Sequence, residues 1–197
     1  MSIFVPVPPL GETFPATLEA ARAGSGWAFE QLFRSLAMPV TGYLRAQGLA
    51  DPDGGVNDVF LRVFRSLGTF EGPEEKFRSW VFTIAHHLVI DERRAQGRRP
   101  ATSELSDDLV HSGAAGAGPG DDADRFLGDD RIRRLLDQLP ATQRDVLLLR
   151  IISDLSIEDV AGLVGRRPGA VKALQRRGLG ALRRLLEHES VARGVSP

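Results

Sequence analysis

The stretch SIEDVAGLVGRRPGAVK, from Ser156 to Lys172, narrows the possible folds more than any other part of the chain. Ser156 is a good helix N-cap, and Glu158 and Asp159 follow where the positive end of a helix dipole favours acids. Gly165 stops that helix early, and Pro168 suits the first position of the next one. Two helices joined by so short a turn must touch. The motif needs a small residue at the crossing, a glycine in the turn, and apolar residues on the second helix facing the first. Ala161, Gly165 and the pair Val171 and Leu174 meet those demands, so the segment reads as a helix-turn-helix.

The second helix is divided by charge. Val171, Leu174, Gly178, Leu182 and Leu185 form its inward stripe, while Gly169, Lys172, Ala173, Arg176, Gly180, Arg183 and Arg184 face outward, with Arg177 on the shoulder. Seven basic residues and no acid lie between Gly165 and Glu187, although the chain's net charge is only −1. Ordinary surface helices mix signs, because opposite charges three or four residues apart stabilise them. A helix that forgoes this benefit, apolar behind and basic in front, suits a DNA major groove. Arg166 and Arg167, in the turn, are placed for phosphates.

Upstream, apolar residues recur at helical spacing: Phe29, Leu32, Phe33 and Leu36, then Val56, Val59, Phe60, Val63 and Phe64. A third stripe holds Phe77, Trp80, Val81, Ile84, Leu88 and Asp91, with Ser79, His86 and Arg93 on the opposite side of the same helix. Strand alternation and hairpin dipeptides are absent, which makes the chain all-α. The expected layout is an N-terminal arm at 1–25, a helical domain at 26–96, a linker at 97–128, a second helical domain at 129–188 and a tail at 189–197. The linker's Gly, Ala, Ser and clustered acids cannot bury enough surface to offset ordering. In the second domain, Leu139-Pro140 precedes Thr142, expected to cap a helix with Asp145 in its first turn.

Several classes are excluded. No apolar run approaches the roughly 18 residues of a membrane span, and the proline-broken start lacks a signal peptide's basic region. The chain has no cysteine, so thiolate metal sites and thiol chemistry are out, and a cytoplasmic address fits. His86 and His87 point about 100° apart on a helix and have no third ligand in register, so no metal is expected. Asp107, Asp108, Asp121 and Asp122 read as a solvated acidic run. Trp80 and Phe77 read as core; Phe82, on the other side of that helix, is more available but is still expected to pack against a neighbouring helix. Phosphate loops and nucleophile–base arrangements are missing, so neither an enzyme nor a cofactor is indicated.

Three segments carry a family resemblance. LPATQRDVLLLRIISDLSIEDVAGLVGRRPGAVKALQRRGLGALRRLL resembles region 4 of the extracytoplasmic-function (ECF, group 4) bacterial sigma factors. FRSWVFTIAHHLVIDERR resembles their regions 2.3 and 2.4, and DGGVNDVFLRVFRSLGTF is similar to region 2.2. The motifs stand in the family's order on either side of a linker in the family's place.

The resemblance implies a non-catalytic protein that binds core RNA polymerase and delivers it to promoter DNA. Region 4 would read the −35 element through Arg166, Arg167, Lys172, Ala173, Arg176 and Arg177, and would also touch the β flap. Region 2 would bind a melted −10 strand through Arg78, Ser79, His87, Arg93, Arg94 and Arg98. Asn57, Asp58, Leu61 and Arg62 would dock on the β′ clamp helices. The acidic linker would run through the polymerase toward the active-site cleft. An anti-sigma factor is a further possible partner.

Some positions depart from the family pattern. Asn57-Asp58 stands for a Gln-Glu pair, His87 for an asparagine, and Ala173-Leu174 for Ser-Arg in the recognition helix. Gly54 and Gly55 begin the region 2.2 helix, where each costs about 0.5–1 kcal/mol relative to alanine. Two alternatives stay open on sequence grounds: a LuxR-like helix-turn-helix regulator, and an all-helical adaptor for a protein partner.

Overall fold

A computed structural model describes residues 9–98 and 131–192; the side chains of 96–98 and 190–192 lie outside the description. Every regular element among the described residues is helical, as the sequence requires. A short 3-10 turn leads into α1 (Phe14–Arg22), followed by α2 (Gly26–Ala46), α3 (Pro52–Ser66) and α4 (Glu74–Arg98). The second half contains α5 (131–137), α6 (Ala141–Ile151), α7 (Ile157–Leu163) and α8 (Pro168–Ala192).

The first half is built around α2, which packs on α1, α3 and α4. Leu32, Val40, Tyr43, Leu44, Val59, Phe77 and Phe82 are fully enclosed there. Phe29 stacks obliquely on Phe64 and Phe33 on Phe60, both with ring centroids under 5 Å apart (4.7 and 4.8 Å). Such aromatic pairs stabilise beyond the area they bury.

The expected N-terminal arm contains part of this core. Phe14, Leu18 and Ala21 of α1 are buried, and the Phe14 ring lies 5.5 Å from that of Phe77. The Glu74 carboxylate accepts the backbone N–H groups of Leu10 and Gly11, each at 2.7 Å. Arg22 donates to the Phe70 carbonyl and pairs with Glu19. Prolines and glycines masked this short helix in the sequence.

Three local expectations change. The buried side of α4 is broader than the expected stripe: Phe82, Ala85, His86 and Val89 are all enclosed, so Phe82 packs against a neighbouring helix as expected, while His86 does not face solvent. Thr142 is not a cap, because α6 already starts at Ala141, with Pro140 before it and no side-chain cap. The two glycines of α3 have a steric role. The Asp51 carboxylate caps the helix through Gly54 N at 2.9 Å, and a Cβ at 54 would lie 2.2 Å from Asp51 Oδ2. A Cβ at 55 would lie 2.5 Å from Leu49 Cδ2. The helix begins at Pro52, directly after its Asp51 cap.

In the second half α8 crosses both α6 and α7. Leu147, Leu149, Leu155, Val160 and Val171 fill the space between them. The buried apolar residues of the two halves form one continuous cluster. The expected linker, beyond its first residues at the end of α4, lies outside the described residues, as does the end of the expected tail beyond Ala192.

Candidate nucleic-acid interface

The turn between α7 and α8 closes as its sequence demands. Ser156 Oγ accepts the Asp159 N–H at 3.0 Å, capping α7. Gly165 has φ +63°, a left-handed conformation that L side chains rarely adopt, and the Arg166 N–H reaches back to the Ala161 carbonyl at 2.9 Å. That pairing is the six-to-one bond of a Schellman closure. It sends the chain directly into Pro168 and sets the angle of α8. Ala161 and Val171 are buried at the crossing, with Leu174 half-buried beside them.

Farther along, Gly178 lets α8 press on α6. The inward stripe is thus as expected, and the basic residues are on the other side. Arg166, Arg167, Lys172, Arg176, Arg177, Arg183 and Arg184 are exposed, and Ala173 is half-exposed between them. Arg183 pairs with Glu187 one turn on, at 2.9 Å. Among the described residues, Arg166, Arg167, Lys172, Arg176, Arg177 and Arg184 make no ion pair. Among the described residues, these six cations without an ion pair lie on or beside one helix whose back is anchored in a core. Such a surface suits an external polyanion, and the helix is of a size to enter a groove.

The first half distributes its expected residues over several faces. Asn57, Asp58, Leu61 and Arg62 lie together on the exposed side of α3. On α4, His87 and Arg94 are exposed and stand seven residues apart, two turns along one face, and Arg98 continues that line by position. Arg94 approaches Asp91 at 3.8 Å, within the same face. Arg78 is half-buried on the far side of the helix from His87, with half-buried Ser79 next to it. The helix therefore does not bring all six residues to one surface.

Arg93 is turned toward the other half of the molecule. Its Nη2 donates to Gln47 Oε1 at 2.5 Å and its Nη1 approaches Asp145 Oδ1 at 3.3 Å. Gln47 Nε2 donates to the same Asp145 oxygen at 2.9 Å and to Tyr43 Oη at 3.0 Å. The Tyr43 hydroxyl in turn lies 2.7 Å from His86 Nδ1. Burial holds the Tyr43 phenol well above its ordinary range, and the Asp145 charge adds to this. Burial also holds His86 below its usual value, outweighing the opposing pull of Asp145. With Tyr43 protonated and accepting from Gln47, its hydroxyl is free to donate to His86 Nδ1. Sequence reading placed His86 and Arg93 on a free face and took Asp145 for a helix-dipole acid. Periodicity carried no sign that these groups meet.

A second link between the halves is exposed. Lys76 Nζ bonds Asp159 Oδ1 at 2.6 Å, and this hydrogen bond and charge raise the lysine's pKa. Burial alone would raise the Asp159 carboxyl, but hydrogen bonds from Lys76 and Ser156 prevail and hold it below its ordinary range.

An all-helical chain with a turn-closed recognition helix and an unpaired cationic front is, by class, a DNA-binding protein. Comparison with known proteins is specific about which. Residues 30–99 match the family model of sigma-70 region 2, and residues 129–182 match that of sigma-70 region 4. The ECF RNA polymerase sigma factor SigD of Mycobacterium tuberculosis is 34% identical over 191 residues, covering 93% of this chain and 87% of that one. The RNA polymerase sigma factor CarQ of Myxococcus xanthus is 33% identical over 174 residues, covering 86% of this chain and 95% of the relative. Among solved structures, CnrH in complex with the cytosolic domain of CnrY superposes with TM-score 0.68 at 23% identity, covering 91% of this chain and all of that one. The sigma factor RpoE in complex with the anti-sigma factor NepR from Bartonella quintana gives TM-score 0.54 at 21% identity, covering 89% and 95%.

The chain belongs to the ECF RNA polymerase sigma factors. It is a transcription initiation factor and not an enzyme. The region 2 match over the first half excludes the receiver that a LuxR-like regulator would carry there, and the family excludes a mere adaptor. Among the described residues no helix is long and apolar enough to cross a membrane.

Proposed function

We propose that the chain docks on core RNA polymerase through α3 and reads a two-part promoter with α4 and α8. Asn57, Asp58, Leu61 and Arg62 meet the β′ clamp helices. Lys172, Ala173, Arg176 and Arg177 enter the major groove at −35, with Arg166 and Arg167 on phosphates, and this half also rests on the β flap. Arg78, Ser79, His87, Arg93, Arg94 and Arg98 serve the melted −10 strand. Taking a base out of the stack costs about a few kcal/mol, which contacts to its edge and to the backbone must return. The chain works in the cytoplasm, beside the polymerase.

One observation carries the reading: among the described residues, Lys172, Arg176, Arg177 and Arg184 on the front of α8 make no ion pair, while its back is committed to the core. An anti-sigma factor is a further partner. The support is that two proteins of similar fold were solved with binding partners, CnrH with the cytosolic domain of CnrY and the sigma factor RpoE with the anti-sigma factor NepR. Run-off transcription from genomic fragments, with purified core polymerase and this chain, tests the whole proposal. Discrete products that depend on the chain are expected. Their absence from every fragment would overturn it.

A further inference from the structure

The loop from Phe70 to Pro73 leads the chain into α4 and toward Arg78 and Ser79. Phe70 is buried, and its ring stacks on Trp80 with centroids 5.1 Å apart and planes at 26°. The tip at Glu71, Gly72 and Pro73 is exposed. Gly72 has φ +136°, where an L side chain is strained, and a Cβ there would lie 3.2 Å from Lys76 Cβ. An exposed tip gains little rigidity from the core, so its place depends on how its two ends are held.

Both ends are held by a segment that precedes the matched family region, which begins at residue 30. At the entry, Arg22 Nη2 donates to the Phe70 carbonyl, while Nη1 donates to the Glu19 carboxylate and so fixes the guanidinium plane. At the exit, Glu74 spreads its two oxygens over the Leu10 and Gly11 amides. Charge-assisted bonds of this kind are about twice as strong as neutral ones. Phe14 of α1, packed on Phe77 of α4, fills the space behind the clamps.

Arg78 and Ser79 come one turn after Glu74, about 6–7.5 Å along α4 at 1.5 Å per residue. The loop and these two side chains are therefore close enough to meet the same short run of a single strand. A base taken out of the stack is repaid only by groups already in position, held to within about 0.5 Å.

We propose that Arg22 and Glu74 are positioning residues for −10 recognition. By tying both ends of the 70–73 loop to the N-terminal segment, they set the place of Arg78 and Ser79, and with it the choice of −10 sequence. Neither residue has to touch DNA. The inference rests on the −10 role given above to the start of α4.

The test uses the full chain, core polymerase and a promoter recovered by the run-off assay. Two barcoded libraries of that promoter, one randomised across the −10 element and one across the −35 element, report base preferences through their transcripts. Arg22→Met keeps an unbranched apolar stem and removes the donors. It is expected to reduce the −10 preferences several-fold and to leave the −35 preferences as in the parent. Arg22→Lys, which can still donate to the Phe70 carbonyl, should recover most of the loss. Glu74→Gln leaves one carbonyl oxygen for two amides; it should weaken the −10 preferences with Arg22 intact, and it serves if Arg22→Met does not fold. Unchanged −10 preferences in both variants would overturn the proposal. Equal losses at −10 and −35, in step with a lower melting temperature, would also overturn it, because the clamps would then be merely structural. A parent chain with preferences at −35 and none at −10 would remove the −10 role of α4, and the inference with it.

Discussion

Gly178 of α8 lies so close to Leu147 of α6 that a Cβ at position 178 would fall 2.8 Å from Leu147 Cδ1 and 3.1 Å from Cγ. The glycine is therefore required by contact between helices, inside a helix that otherwise gains nothing from it. This contact holds the recognition helix against its support.

Gly178→Ala should destabilise the fold by about 1–3 kcal/mol, the usual range for overpacking a filled core. Leu147 is buried and has little room to retreat. Urea denaturation of the whole chain would measure this. An alanine variant as stable as the parent would mean that α8 does not press on α6.

Lys172→Ala combined with Arg176→Ala should weaken promoter binding and leave the melting temperature unchanged, because both side chains are exposed and unpaired. If both touch phosphate, the slope of log K against log salt should fall by about 1.8, at roughly 0.9 per contact. An Arg166→Ala variant with an unaltered slope would remove that residue from the phosphate contacts. A parallel loss of thermal stability in the double variant would show the two residues to be structural.

Asp58→Arg should abolish binding to core polymerase, since it reverses charge in the middle of the exposed α3 patch. Asp58 is exposed, so the helical circular-dichroism signal should persist. Polymerase retained at parental affinity would place the docking surface elsewhere.

Stability should decline in mild acid. An unfolded histidine titrates near pH 6.5, and burial holds His86 below that in the fold, so the unfolded chain takes up the extra proton. The stabilisation is complete above about pH 6.5 and is lost as pH falls toward the depressed value. Melting curves at pH 7.5 and 5.5 would detect this, and His86→Gln should flatten the difference. An equal pH dependence in that variant would assign the effect to other groups.

The legible parts of this sequence were those governed by local rules. Ser156, Gly165 and Pro168 each act within a few residues of themselves, and the turn they define is the turn observed. The apolar backs of α3 and α8 follow from period alone. Less legible were features set by distant partners. Nothing near Gly54, Gly55 or Gly178 announces Asp51, Leu49 or Leu147 as the reason for a glycine. Likewise His86 and Arg93 look free on a helical wheel, because the wheel does not know that Tyr43, Gln47 and Asp145 arrive from two other helices. The first helix escaped notice for a third reason: at nine residues it is too short for its period to stand out against flanking prolines and glycines.

The seating of that first helix has a practical corollary. The amides of Leu10 and Gly11 just ahead of it are clasped by Glu74, its arginine by the Phe70 carbonyl, and its phenylalanine by Phe77. A protease that nicked the exposed bend at Ala23 and Gly24 would cut the chain without evicting the fragment, which would copurify as a stoichiometric peptide until denaturant released it.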